Sequence, residues 1–344
     1  MMLPLVAVVV GLILLVWSAD RFIEGAAATA THSGMSPLLV GMLIMGFGTS
    51  APELTVSAIA ALDGTSGLAL GNAIGSNIAN VGLILGLTAI IAPIAVTSSA
   101  LVRREMPMLI AISLLFGVLL WTGYGINRLE GWLLLATLGA LAIWQIHEAR
   151  VLRREQRAAA GIAGELDAAE VGDGAIEGVV DVTGDELMPL RAAILWLAVG
   201  LVLLVVSSRM LVWGAVAIAE MFGVSDLVIG LTIVAIGTSL PELAACVAAS
   251  RKGENDLALG NIVGSNFFNI LAVVGLAATI HPISEISHTV FRRDWMVMFL
   301  LTLAVLPMSL ARGKPGEITR YEGLLLLVVY VGYTVWLVRS AVLG

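Results

Sequence analysis

Two stretches of this chain set a carboxylate beside a proline and a pair of hydroxyls. Gly46-Phe47-Gly48-Thr49-Ser50-Ala51-Pro52-Glu53-Leu54 returns 189 positions later as Ala235-Ile236-Gly237-Thr238-Ser239-Leu240-Pro241-Glu242-Leu243. Each sits inside a long apolar run. A charge at the centre of a bilayer costs about 3 kcal/mol on insertion scales, so such residues face a cavity or a partner. Pro52 and Pro241 have no N–H, so the carbonyls of Gly48 and Gly237 lose their helical donors. A carboxylate, two hydroxyls and freed carbonyls within one turn make a hard-oxygen ligand set, suited to Ca²⁺ or Na⁺ and not to a soft metal. A kinked membrane helix alone would explain a proline. It would not explain Pro-Glu recurring at the same place in both halves.

A second doubled motif is Gly71-Asn72-Ala73-Ile74-Gly75-Ser76-Asn77 with Asn80, and Gly260-Asn261-Ile262-Val263-Gly264-Ser265-Asn266 with Asn269. Asn72, Ser76 and Asn80 share one helix face, as do Asn261, Ser265 and Asn269. The glycines suit close helix packing, while the amides and hydroxyls are expected to face the carboxylates. Asn77 and Asn266 point elsewhere and are expected to bond unwound backbone.

The elements that must position these residues are membrane spans. Hydrophobic residues make up 59% of the chain and charged residues 12%, where a soluble domain carries about a quarter charged. The net charge of −7 is largely local: residues 148–190 hold ten acidic residues and four arginines. The single cysteine, Cys246, excludes a disulfide framework. Met1 to Ala19 reads as a first span rather than a removed signal peptide, followed by a short link holding Asp20, Arg21 and Glu24. Further spans are expected near 38–62 (broken at Pro52), 68–92, 106–122, 131–146, 190–208, 226–250, 256–280, 295–311 and 322–341. His32, His147, His281 and His288 fall near span ends, and Arg103, Arg104 and Glu105 with their second-half counterparts read as membrane-end anchors.

The halves repeat. Between 41–80 and 230–269, nineteen of forty positions are identical. The same offset carries Arg103-Arg104-Glu105 onto Arg292-Arg293-Asp294, and an offset of 192 aligns Arg128-Leu129-Glu130-Gly131 with Arg320-Tyr321-Glu322-Gly323. The expected architecture is an all-α polytopic membrane protein of ten helices. Its units are a first five-helix repeat (1–147), a polar loop (148–189) with a helical start, and a second repeat (190–344). Five is odd, so the repeats must be inverted about an axis in the membrane plane. Ends after odd-numbered spans carry thirteen Lys and Arg against five on the other side. The positive-inside rule then puts the loop in the cytoplasm and both termini outside. The loop's first arginines, Arg150, Arg153, Arg154 and Arg157, serve as a topology signal or hold anionic lipid.

The doubled motifs resemble the α-repeats of the cation/Ca²⁺ exchanger superfamily and are most similar to those of prokaryotic Na⁺/Ca²⁺ exchangers. The resemblance covers the ten-helix chain but not the loop. It implies cation sites formed by the second, third, seventh and eighth spans, in a cell (inner) membrane. Their ligands would be Thr49, Ser50, Glu53, Ser76 and Asn80, with Thr238, Ser239, Glu242, Ser265 and Asn269, completed by carbonyls near Gly46 and Ala235. The implied function is antiport of Ca²⁺ against Na⁺, with both ions as substrates, no cofactor and no nucleic acid. A Ca²⁺/H⁺ exchanger using the same carboxylates is the alternative, although proton-coupled relatives usually carry Gly-Asn-x-x-Glu in place of Gly-Thr-Ser-x-Pro-Glu. Some relatives, K⁺-dependent ones included, carry Asp where this chain has Asn269. The loop is too short for the Ca²⁺-sensor domains of animal exchangers. An intramembrane enzyme would need a nucleophile–base pair or a His set inside the spans, and the sequence has neither. A channel fits less well, because one site between inverted halves suits alternating access.

Overall fold

The computed structural model describes residues 2–123, 125–168, 188–222, 235–284, 286, 288–310 and 316–343. They form twelve helices and one two-stranded sheet, with π-helical turns at five places. The helices are α1 (Met2–Ser33), α2 (Pro37–Thr49), α3 (Ala51–Leu62), α4 (Ser66–Ile91), α5 (Leu101–Thr122), α6 (Arg128–Ala168), α7 (Leu190–Met221), α8 (Ala235–Thr238), α9 (Leu240–Arg251), α10 (Asn255–Ile280), α11 (Met296–Ser309) and α12 (Arg320–Leu343). Among the described residues seven of these are long and apolar enough to cross a membrane. The pair α2 and α3, bent by 45°, is an eighth candidate.

Proline chemistry explains that bend. Pro52 stands in the first turn of α3, where a missing N–H is harmless, and Ser50 leaves the helical region at φ −82°, ψ 4°. The second half repeats the break between α8 and α9, with Ser239 at φ −92°, ψ 6° and Pro241 in the first turn. Whatever precedes Ala235 in that span lies outside the described residues. π-Helical turns also recur in register: Asn80–Leu85 against Asn269–Val274, and Leu101–Glu105 against Val290–Trp295. Such turns are frequent at functional sites.

Burial sorts the helices into centre and rim. α10 is 89% buried over its apolar window and α4 72%, against 28% or less for α1, α6, α7 and α12. The rim exposes apolar side chains such as Ile13, Leu133, Val202 and Val328, as a lipid-facing surface requires. At the centre α2 crosses α10 backbone to backbone. A Cβ on Gly41 would sit 3.0 Å from the Gly260 Cα, and one on Gly260 would sit 3.0 Å from the Gly41 Cα. A Cβ on Gly264 would collide with the Met42 carbonyl. The glycine packing expected from sequence is present here for Gly260 and Gly264. The equivalent partners of Gly71 and Gly75 fall in 223–234, outside the described residues.

Contacts between the halves come in matched pairs. α1 and α7 run antiparallel, Gly11 against Leu211 and Gly200 against Phe22. Adding 189 to 11 and subtracting it from 211 turns the first pair into the second. Gly86 meets Gly323, and Gly275 meets Gly131. β1 (Ile94–Val96) pairs antiparallel with β2 (Gly316–Ile318), Ile94 opposite Ile318; their counterparts Ile283 and Ile126 form a single bridge. Arg104 lies over Trp144, and Arg293 lies over Trp336.

Two differences from the sequence reading concern helix ends. Asp20, Arg21 and Glu24 form no link: α1 continues to Ser33. The charges are satisfied sideways, Arg21 on Glu24 at 2.8 Å and over Trp196, Lys252 on Glu24 at 3.0 Å, so the helix need not stop for them. Likewise α7 runs on to Met221, beyond 208, and α6 carries the helical start of the polar loop to Ala168. The rest of the loop, 169–187, is outside the described residues.

Candidate cation site

The two Gly-Thr-Ser-x-Pro-Glu stretches meet at the centre of the molecule. Both carboxylates are buried, Glu53 at 1% and Glu242 at 2% exposure. Each opens a helix from its first turn, Glu53 on α3 and Glu242 on α9, where the helix dipole favours an anion. Glu242 lies close enough to Glu53 for their charges to interact directly, and it also faces Thr49 and Ser50 across the contact between halves.

Hydroxyls and amides of α10 close the site from the other side. Thr49 Oγ1 donates to Asn261 Oδ1 at 3.2 Å and is 3.4 Å from Ser265 Oγ. Ser265 Oγ in turn donates to the Gly46 carbonyl at 3.5 Å. The carbonyl expected as a ligand is therefore held beside the Ser265 hydroxyl, both within the predicted set. Ser76 and Ser239 are buried. Thr238 is half-buried, at the end of α8, and Ala235 begins that helix.

Asn80 and Asn269 are placed by residues that the sequence reading set aside. Asn80 Nδ2 donates to Asn266 Oδ1 at 3.0 Å, and Asn269 Nδ2 donates to Asn77 Oδ1 at 3.0 Å. These two bonds exchange under the 189 offset. Asn77 Nδ2 reaches the Asn266 carbonyl at 3.4 Å. Asn77 and Asn266 bond the opposite half, as expected only in part, since they hold side chains more than unwound backbone. Tying down each amide nitrogen turns the ligand's oxygen away from that bond. Asn72 and Asn261, on the predicted ligand face, brace the site: Asn261 Oδ1 accepts from Thr49, and Asn72 Nδ2 reaches the Glu53 carbonyl at 3.5 Å. Asn72 Nδ2 donates to Ser57 Oγ at 3.2 Å, and Asn261 Nδ2 to Cys246 Sγ at 3.3 Å, again equivalent positions.

What remains is a set of buried oxygens without partners: both oxygens of Glu53, Oε2 of Glu242, Ser50 Oγ and Asn269 Oδ1. Buried polar atoms are rarely left unpaired, so this cluster suits a donor or a cation between its oxygens. Among the described residues no three His, Cys, Asp or Glu gather in one place. Two carboxylates with neutral oxygens are the chemistry of a hard cation taken up reversibly.

Comparisons with known proteins place the chain in a family. The chain matches the family model described as sodium/calcium exchanger protein over residues 3–147 and 192–339, which leaves out the polar loop. It is 44% identical over 340 residues to the putative antiporter CaxA of Alkalimonas amylolytica, covering 99% of this chain and 100% of that protein. It is 39% identical to the inner membrane protein YrbG of Escherichia coli (strain K12), covering 98% and 96%. Its fold is similar to the sodium-calcium exchanger NCX_Mj soaked with zero Na⁺ and Ca²⁺, with a TM-score of 0.78 and 28% identity over 98% of this chain and 99% of that one. Helices long enough to span a bilayer, a central cluster of orphaned oxygens and a family match over both halves lead to one conclusion: the chain is a multi-pass membrane protein of the sodium/calcium exchanger family.

Proposed function

We propose that this protein exchanges Ca²⁺ for Na⁺ across the cell membrane by alternating access, exporting Ca²⁺ as Na⁺ enters. The observation that carries the reading is the facing pair Glu53 and Glu242 with three of their four oxygens unpartnered. One Ca²⁺ neutralises two carboxylates, and so do two Na⁺ in adjacent positions. Either load removes the penalty of moving bare charge through a dry barrier, so the loaded protein changes face and the empty one does not. That is the physical basis of exchange without leak. Matched contacts between equivalent residues support ten spans arranged as two inverted five-helix units around the site. α1 and α7, long, peripheral and mutually antiparallel, are suited to slide over that centre as gates. Ca²⁺ flux into proteoliposomes, with Na⁺ and H⁺ gradients imposed separately, tests the coupling. Uptake driven by the Na⁺ gradient alone is expected; uptake driven only by the H⁺ gradient would make the protein a Ca²⁺/H⁺ exchanger.

Two further outcomes follow from the same reading. Asn269 contributes a neutral oxygen, so the site totals two negative charges and requires no third cation. Ca²⁺ uptake is expected to be unchanged when K⁺ is omitted from the Ca²⁺ side, and a K⁺ requirement there would contradict this charge count. The orientation puts the polar loop in the cytoplasm and the C-terminus outside. Cysteines at Gly172 and Gly344 should therefore label oppositely from outside intact cells: 344 reacts and 172 does not. The reverse pattern would invert the whole assignment.

A further inference from the structure

α7 lies across both breaks in the central spans. Leu201 packs on Gly48, and Val212 packs on Gly237, each glycine leaving room for the side chain above it. One polar contact accompanies this packing. Ser208 Oγ on α7, itself 4% exposed, donates to the Gly237 carbonyl at 2.9 Å. That carbonyl is the one Pro241 deprives of a helical donor. Beside the contact is a cavity of about 420 Å³ whose lining includes Pro52, Val56, Ser208, Val212, Val216 and Pro241.

Among the described residues the first half has no such contact. The residue equivalent to Ser208 is Ala19 on α1, which has no hydroxyl to offer Gly48. The two halves match in the Asn80–Asn266 and Asn269–Asn77 bonds and in the Ser57 and Cys246 pairings. The bond from Ser208 is thus a one-sided addition to a two-sided machine. It ties a peripheral helix to the backbone of the broken span one turn before Glu242. The cavity is space into which α7 can shift, and any such shift along the break separates Ser208 from the carbonyl.

We propose that Ser208 is a positioning residue for exchange: its hydroxyl latches α7 to the Gly237 carbonyl and favours the arrangement seen here over the alternate one. The proposal rests on the alternating-access reading above. A buried side-chain hydrogen bond contributes about fivefold to such an equilibrium, so losing it redistributes the two states without abolishing either. With the latch gone, the apparent Ca²⁺ affinity falls on the side to which this arrangement opens the site and rises on the other.

Spin labels at positions 56 on α3 and 216 on α7, both lining the cavity, read this directly. The background carries Cys246→Ser, the residue found at equivalent position 57. In lipid nanodiscs without Na⁺ or Ca²⁺, Ser208→Ala is expected to shift the ratio of the two distance populations about fivefold away from the arrangement seen here. Ser208→Thr keeps the hydroxyl, has the cavity for its extra methyl, and is expected to return the ratio to within twofold. In transport assays Ser208→Ala should move the KM for Ca²⁺ in opposite directions on the two sides, where a merely structural defect lowers the maximal rate alone. A population ratio unchanged by Ser208→Ala, or changed equally by both variants, overturns the proposal. Absence of Ca²⁺ transport by the unmutated protein would instead defeat the exchange reading, and the label experiment would still decide whether Ser208 sets the helix position.

Discussion

Glu53→Gln and Glu242→Gln are each expected to reduce Ca²⁺ transport to near background. The substitution keeps the shape of the side chain and removes one charge, so a divalent ion meets a single carboxylate. A unit charge pair at about 4 Å in an effective dielectric of about 20 is worth roughly 4 kcal/mol, close to three orders of magnitude in binding. Na⁺ carries half the charge of Ca²⁺ and loses less. The two variants should behave alike because the carboxylates occupy equivalent first turns, both are buried, and Glu242 faces Glu53 directly. For the same reason the double variant adds little to either single one. Ca²⁺ flux in proteoliposomes checks this, with far-UV circular dichroism confirming that each variant folds. Near-normal flux in either single variant would make its carboxylate a structural partner and not a ligand.

Gly264→Ala is the second change expected to have a large effect, and it acts through backbone. A methyl group at 264 would overlap the Met42 carbonyl at the crossing of α2 and α10. Overpacking a core typically costs about 1–3 kcal/mol, and a clash with main chain, which cannot rotate away, belongs at the upper end. The same crossing carries Thr49, Ser265 and the Gly46 carbonyl, so separating the helices also opens the site. Reduced thermal stability in detergent and loss of Ca²⁺ flux are expected together. Gly332→Ala is the control: among the described residues nothing beyond the adjoining backbone of its own helix lies within 4 Å of the added methyl, and its behaviour should match the unmutated protein. A Gly264→Ala protein of unchanged stability would show that α2 and α10 have slack at their crossing.

The site was legible in the sequence to the extent that its chemistry was local. A proline, a carboxylate and two hydroxyls within one turn specify both the broken helix and the ligand type, and their recurrence at a fixed offset pairs the halves. The residues that orient the ligands were not legible in that way. Asn77 and Asn266 lie off the face shared by Asn72, Ser76 and Asn80, and helix periodicity alone gives no reason to bring them together. They meet only because α4 and α10 cross at the centre, a tertiary fact. The available signal was that both asparagines obey the offset of 189 although no helix face called for them. Asn72 and Asn261 show the converse, sitting on the predicted face yet spending their amides on Ser57 and Cys246.

Helix ends were misread for a related reason. Asp20, Arg21 and Glu24 look like a connection because charge ends an apolar run. Their partners, Lys252 and Trp196, come from distant parts of the chain and allow α1 to continue. The alternation of buried centre and exposed rim was foreshadowed by composition: α4 and α10 carry the small and polar residues, while α1 and α7 carry long runs of Leu and Val.

The central claim is that Ca²⁺ and Na⁺ occupy one site formed by both halves. Equilibrium binding of radioactive Ca²⁺ to the purified full-length protein, titrated with Na⁺ at constant ionic strength, tests it most directly. The expected result is one Ca²⁺ bound per chain, displaced completely by Na⁺ and not by K⁺, with binding lost in both Glu53→Gln and Glu242→Gln. Bound Ca²⁺ that Na⁺ fails to displace, or binding that survives in either variant, would contradict a shared site.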